Sequence, residues 1–285
     1  MLLALFLIIN EVRVGNAAGR AAASAVTREL GEIDELWTEY DRLSERSYLG
    51  IAVAGLERAL TERSWELANR VIHNYRTPEP TVREAQWKAA RSALRRALMA
   101  DPRDDRIKAA LRYCEGHIHR IDGEARKSRR ELAAARQELT DAVTAFREAA
   151  ELRGNWPDPF LGLMRTFIYG LDDIDRGADA LRQAEKLGFT AGRRETTQLA
   201  DGYRTRGETL MRTARTLGGL PQESDYLQRA ADSLREALTL YGRVAGSNAV
   251  AVSLRRTQLS LERIERRLVE LVQPHLEYER ELVGR

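Results

Sequence analysis

The residues best equipped for chemistry stand together in YCEGHIHRID, residues 113–122. Cys114 and His117 are three apart, and Glu115 and His119 are four apart. On a helix each spacing puts its two side chains on one face, but the two pairs lie on different faces. Tetrahedral zinc needs converging donors, so these four cannot readily serve one ion from a single helix. The stretch also lacks the second cysteine of a haem-attaching CxxCH. It reads as a buried small cysteine beside a partly exposed pair of histidines. LDDID, residues 171–175, concentrates carboxylates without the spacing or glycine of a calcium loop. Asp172 and Asp173 read instead as caps for the helix that follows. There is no GxSxG, and the chain holds four histidines and one cysteine, which leaves nucleophilic catalysis little to work with. We therefore assign no catalytic residue, no metal ligand, no cofactor and no small-molecule substrate.

The elements that hold these residues are helices. The 285 residues suffice for one or two domains with a sizeable core. Ala, Leu, Arg and Glu dominate and aromatics are 6%, a bias toward helix. Net charge is +3, and 42 of the 46 basic residues are arginine. Acids and bases interleave at helical spacing, which describes solvated faces rather than one basic stripe. Nucleic acid is thereby excluded as the expected partner. The single cysteine, Cys114, excludes an internal disulfide and a cysteine-based zinc site.

Residues 1–28 raise the question of a membrane. MLLALFLIIN opens with nine apolar residues, followed by Glu11 and Arg13. A span needs about 20 apolar residues, and a signal peptide needs a basic start that is missing. Gly15 and Gly19 form a weak GxxxG beside Arg20. Three readings stay open: the tail of a longer transmembrane helix, a signal-like or anchor segment, and a soluble helix that buries its apolar end.

Downstream, helix follows helix. Ile33, Leu36, Trp37, Tyr40 and Leu43 form one stripe, continued by Leu49–Leu60 and Trp65–Tyr75. RTPEPT breaks the chain with two prolines. Thr81 and Glu84 then form a capping box, and Asp101 with Pro102 is set to start the next helix. That helix is expected to end near Gly123, with a long one over about 124–152. GNWPDP breaks the chain again, and Gly188 and GGLPQESD mark further ends. In the last helix Leu254, Leu261 and Leu268 recur every seven residues, with Thr257, Ile264 and Leu271 as a second set. Such a seam suits an end cap or a partner surface, with a kink expected at Pro274. Trp37, Trp65, Trp87 and Trp156 read as core.

One spacing repeats. Ala90, Leu94, Ala97 and Pro102 place small, large, small and proline at intervals of four, three and five. Ala142, Phe146 and Ala149 repeat the triad, as do Gly177, Leu181 and Ala184, and Ala230, Leu234 and Ala237. Small residues let helices approach closely while the large one fills the groove between them. From Ala149 to Ala184 is 35 residues, but Ala97 to Ala149 is 52 and Ala184 to Ala237 is 53. The longer gaps require longer helices or inserted turns.

The triads resemble the second helix of a tetratricopeptide (TPR) repeat, A-x3-F-x2-A then Pro, over about residues 83–245. Leu161, Met164 and Ile168 match large first-helix positions, and Tyr203 and Gly207 match a first-helix Tyr and Gly. The resemblance implies an all-α, TPR-like helical-hairpin solenoid with a long N-terminal and a long C-terminal capping helix; a long helical bundle is the alternative. The domains would be 1–28, the apolar segment; 29–80, a stalk or hairpin; 81–246, the repeats; and 247–285, the cap. It implies a protein-interaction scaffold whose first helices line a concave face. The positions carried over to that face are Arg106, Tyr113, Thr166, Tyr169, Asp201 and Arg204, a mix suited to a peptide or helix of a protein partner. PTVREAQWKAA, residues 80–90, also resembles the region after the membrane span in some bacterial Ser/Thr receptor kinases, although no Gly-rich loop, HRD or DFG is present. That points to a membrane-associated place in a bacterial envelope. A structural or sensor part of a larger membrane assembly, and an all-α enzyme, stay open as alternatives.

Overall fold

The computed structural model describes residues 2–77, 80–246 and 248–283, with side chains over 3–77, 80–246 and 248–272. Among the described residues there are helices and no strand. They are α1 (Leu2–Ala25), α2 (Ile33–Ser44), α3 (Ala54–Tyr75), α4 (Glu84–Ala100), α5 (Asp105–Ser128), α6 (Leu132–Leu152), α7 (Asp158–Arg165), α8 (Ile174–Lys186), α9 (Arg193–Thr216), α10 (Gln222–Arg243) and α11 (Asn248–Val283). A π-helical turn, Thr166–Gly170, extends α7. Pro78 of the RTPEPT break and Ser247 lie outside the described residues, and so does the side chain of Pro274, where a kink is expected. The chain divides into two compact units, Met1–Gly162 and Leu163–Arg285.

In the first unit each of α4, α5 and α6 packs on the helix before it in the chain. The α2 stripe works as its spacing predicts: Ile33, Leu36, Trp37 and Leu43 are buried, and Trp37 Nε1 donates to Ser64 Oγ of α3 at 3.1 Å. Both triads are fully buried. Phe146 of α6 shows why small neighbours matter. A Cβ on Gly116 of α5 would fall 2.7 Å from its ring, and one on Gly162 of α7 would fall 2.6 Å from it. Only glycine on both sides lets the ring seat, and burying a phenylalanine contributes roughly 1.5–3 kcal/mol.

The N-terminal helix is part of this unit. Val14, Ala18 and Ala25 are buried as α1 packs on α2 and α3. The Glu11 carboxylate accepts the Ser47 hydroxyl at 2.8 Å and the backbone N–H groups of Leu49 and Ala52 at 3.3 Å. The tip is different: Leu3, Leu5, Phe6 and Ile8 are exposed. Among the described residues no helix is long and apolar enough to cross a membrane.

In the second unit α9 packs on α10 and α10 on α11. Leu234 of α10 seats against Gly207 of α9, where a Cβ would stand 2.7 Å from the leucine side chain and 3.1 Å from the Ala230 carbonyl. Ile168 fills the matching space beside Gly177. The seven-residue seam of α11 is spent inside the unit. Leu254 packs with Ala237 and Tyr241, and Leu261, Ile264, Leu268 and Leu271 pack with Leu227 and Leu234. Thr257 is fully buried. Over its described side chains the seam therefore packs on α10, with its four leucines partly buried.

The unequal repeat spacing has a simple origin. The 52- and 53-residue gaps carry helices of 24 and 21 residues (α5, α6) and of 24 and 22 residues (α9, α10). The 35-residue gap carries eight residues in α7, five in the π turn and 13 in α8. The helices are longer, with none inserted.

Several helix ends differ from expectation. Asp104, not Asp101, caps α5: its carboxylate accepts the N–H groups of Arg106 at 2.8 Å and Ile107 at 3.2 Å. Asp101 closes α4 through its N–H to the Ala97 carbonyl. The Thr81–Glu84 box does not form; α4 starts at Glu84, and Gln86 Oε1 accepts the Arg83 N–H at 2.8 Å. Gly123 does not end α5. It makes room for Leu139 of α6, and the chain turns later, at Arg130 with φ 65°. The 49–60 stretch is helical only from Ala54. Gly188 does end α8, at φ 87°, with the Phe189 N–H on the Ala184 carbonyl at 3.1 Å.

Candidate partner-binding face

Of the six first-helix residues, two fall in the first unit. Arg106 opens α5 and is half-exposed, but it is engaged. It donates to Asp104 at 2.7 Å, reaches Glu62 at 3.4 Å and lies 5.6 Å over the Trp65 ring. The guanidinium holds the Asp104 carboxyl below its usual range. Tyr113, two turns on, is not a surface residue. Trp87 from α4, Phe146 from α6, Trp156 and His117 close around its ring at 4.6–5.8 Å. Burial pushes its hydroxyl pKa well up. Packing on α4 and α6 turns this stripe of α5 inward, so Tyr113 cannot meet a partner.

The other four lie in the second unit. Thr166 begins the π turn and is fully buried, its carbonyl taken by the Leu171 N–H at 3.0 Å. It too is removed from the face. The remaining three converge. Tyr169 donates to Asp201 Oδ2 at 3.0 Å, and Tyr241 of α10 donates to Asp201 Oδ1 at 2.5 Å. Arg204 Nε donates to the Tyr241 hydroxyl at 3.2 Å, and its Nη1 to Glu208 Oε1 at 3.1 Å. Burial, then the Asp201 carboxylate, raises both tyrosines; Tyr241 is pushed up to about 12. The network fixes Asp201 and Arg204 in place, on an α9 face that continues through Glu208 to a surface facing α11.

Sequence reading missed that surface. Asp201, Arg204, Glu208, Arg212 and Arg215 follow one face of α9 at steps of three and four. Across from them stand Val252, Arg255, Arg256, Leu259 and Arg263 on one face of α11. A groove of about 480 Å³ runs between the two faces from Glu208 onward. Glu208 ties its sides together, accepting from Arg256 Nε at 3.1 Å. Tyr241 was legible, since it follows Ala237 by one turn and so shares the α10 face that meets α9. The groove was not, because nothing local in α11 says which neighbour its second face overlooks.

The cluster at 113–122 makes no site from its own four residues. Cys114 is fully buried, and burial raises its thiol pKa, away from thiolate chemistry. Glu115 holds Arg95 at 2.7 Å and Arg112 at 2.9 Å. His117 is fully buried, not half-exposed as expected, and stacks on Trp87 with ring centroids 4.2 Å apart. His119 reaches another helix: its Nδ1 lies 2.8 Å from Glu138, with Asp141 close by. In LDDID, Asp173 caps α8 through the Arg176 N–H at 3.0 Å, while Asp172 sits in the turn at φ 55°.

No protein-family model matches the chain, and no curated protein matches it.

Proposed function

We propose that the chain is a non-enzymatic protein-interaction scaffold of TPR-like helical hairpins, with a partner docked along its first-helix face. One observation carries the reading: all twelve residues of the four small-large-small triads are buried. Two of the large residues support it further, because each sits on a first-helix glycine, Phe146 on Gly116 and Leu234 on Gly207. That is the packing a repeat of helical hairpins requires. Arg106, Tyr169, Asp201 and Arg204 are the original face residues that stay accessible at least in part. The test begins with in-cell crosslinking to identify the native partner. Tyr169→Ala with Arg204→Glu, in a chain that keeps its helical circular dichroism, is then expected to lose it. Undiminished capture would remove this face from consideration.

A second reading has its own observation. The exposed apolar tip of α1, with Leu3 at 72% and Ile8 at 60% exposure, favours a structural or sensor part of a bacterial envelope assembly, held at a membrane. Flotation with anionic vesicles checks it: the chain should rise with them, and Leu3→Ser with Phe6→Ser and Ile8→Ser should stay below. If both stay below, the tip is not a membrane contact.

A further inference from the structure

We infer that the groove between α9 and α11 receives an acidic amphipathic helix of a partner protein. The inference rests on the scaffold reading and names the kind of partner it takes.

Charge is the first argument. Five arginines line the groove, Arg212, Arg215, Arg255, Arg256 and Arg263, and all five are exposed. Many arginines elsewhere pair with nearby acids, as in Arg176–Asp173 and Arg235–Asp232; what sets the groove apart is that five stand together in one concave lining. Here the lining holds one carboxylate, Glu208, and Arg204 and Arg256 already occupy it. Among the described residues Arg215, Arg255 and Arg263 make no ion pair, and Arg212 donates only to the Thr209 hydroxyl, at 2.9 Å. A concentration of one sign in a concave surface raises the local potential and attracts the opposite charge. The chain as a whole is nearly balanced at +3, so this is a local feature.

The apolar groups are the second argument. Val252 is 69% exposed and Leu259 45% exposed, one above the other on α11, with Met211 facing them from α9. Exposed branched side chains within a cationic groove match a ligand that carries carboxylates and apolar side chains together. Nucleic acid fits less well, because the lining has no aromatic ring for a base to stack on. From Val252 to Arg263 the groove follows about three helical turns, ~17 Å. That is more than the ~10.5 Å over which a docked helix presents anchors at i, i+3, i+4 and i+7.

The experiment uses the full chain and fluorescence anisotropy with a labelled helical peptide of about 16 residues, ~24 Å long, with glutamates on one face and leucines on the other. The peptide should bind. Its glutamine counterpart should bind at least ~10-fold more weakly, and affinity should fall between about 50 and about 500 mM salt. Arg212→Glu with Arg255→Glu and Arg263→Glu should weaken binding at least ~10-fold, and Arg255→Glu alone should weaken it in the same direction. Arg58→Glu with Arg103→Glu and Arg136→Glu makes the same charge change on exposed residues of the first unit, and should leave binding intact. The inference is overturned if the glutamate peptide does not bind, if the glutamine peptide binds equally, or if the control triple loses as much. It is also overturned if a single-stranded RNA of similar length binds as tightly and is lost with the groove triple. The scaffold reading fails separately. A native partner that ignores the groove triple but is lost with Tyr169→Ala and Arg204→Glu sinks only the groove. A partner indifferent to both sinks the scaffold.

Discussion

The two units use the same repeat spacing for different ends. In the first, the inward stripe of α5 is aromatic, and Tyr113 and His117 sit among Trp87, Phe146 and Trp156. In the second, the corresponding stretch of α9 carries Asp201, Arg204 and Glu208, joined by Tyr169 and Tyr241 in a polar network open along one edge. Small-large-small triads decide where helices meet. They do not decide whether the first helix then closes into core or stays open as a surface. The identity of a few first-helix residues makes that choice.

The largest way to break this contrast is Phe146→Ala. It empties the space between Gly116 and Gly162 and should cost roughly 3–5 kcal/mol. Hydrogen exchange read segment by segment should speed up in α5 and α6 and leave α9 and α10 unchanged; equal acceleration in both would mean that the units are not separate cores. Next is Gly207→Val, which drives a side chain into Leu234 and should cost about 1–3 kcal/mol in urea unfolding. Adding Leu234→Ala should recover part of that loss, and no recovery would place the strain elsewhere. Tyr241→Phe removes one donor to Asp201 and should cost about 1–2 kcal/mol. It also carries a pH signature. The Tyr241 hydroxyl, pushed up to about 12, holds its proton more tightly than in the unfolded chain, where its value is about 10. Its stabilisation is complete below about 10 and is lost as pH rises through about 12. The Phe variant should lack that portion of the alkaline loss. Smallest are the two caps. Asp104→Ala, which strips two amides of an acceptor, should cost about 1 kcal/mol, and Asp173→Ala, which strips one, about half as much; the order is checked by paired melting curves.

Much of this was legible in the sequence. The triads located the close helix contacts because small residues at steps of four and three leave few other uses. The α11 seam named the residues that pack on α10, because an apolar repeat of seven keeps one helix face toward its neighbour; Thr257 and Ile264 are buried there and the four leucines partly so. Helix starts were less legible. ADPRDD offers three aspartates, and only the turn itself, which aligns Asp104 with two free amides, selects among them. Gly123 looked like a stop because isolated glycine often is, but the space it leaves is filled by Leu139, 16 positions on in the chain. Tyr113 and Thr166 were placed on a surface by resemblance to a repeat's first helix, which fixes only their register. Register gives the face of a helix, and the burial of that face depends on residues contributed by neighbouring elements, such as Trp87 and Phe146. The groove was invisible for the converse reason: each of its walls is an ordinary charged helix face until the other stands opposite.

Glu11 gathers three donors from 36 to 41 positions away. That makes α1 a handle rather than a tether. A flexible leader would let a captured tip wander while the body tumbled freely. Here, whatever seizes Leu3, Phe6 and Ile8 takes hold of the α2–α3 turn at the same time, and a pull on the tip is a pull on the folded unit.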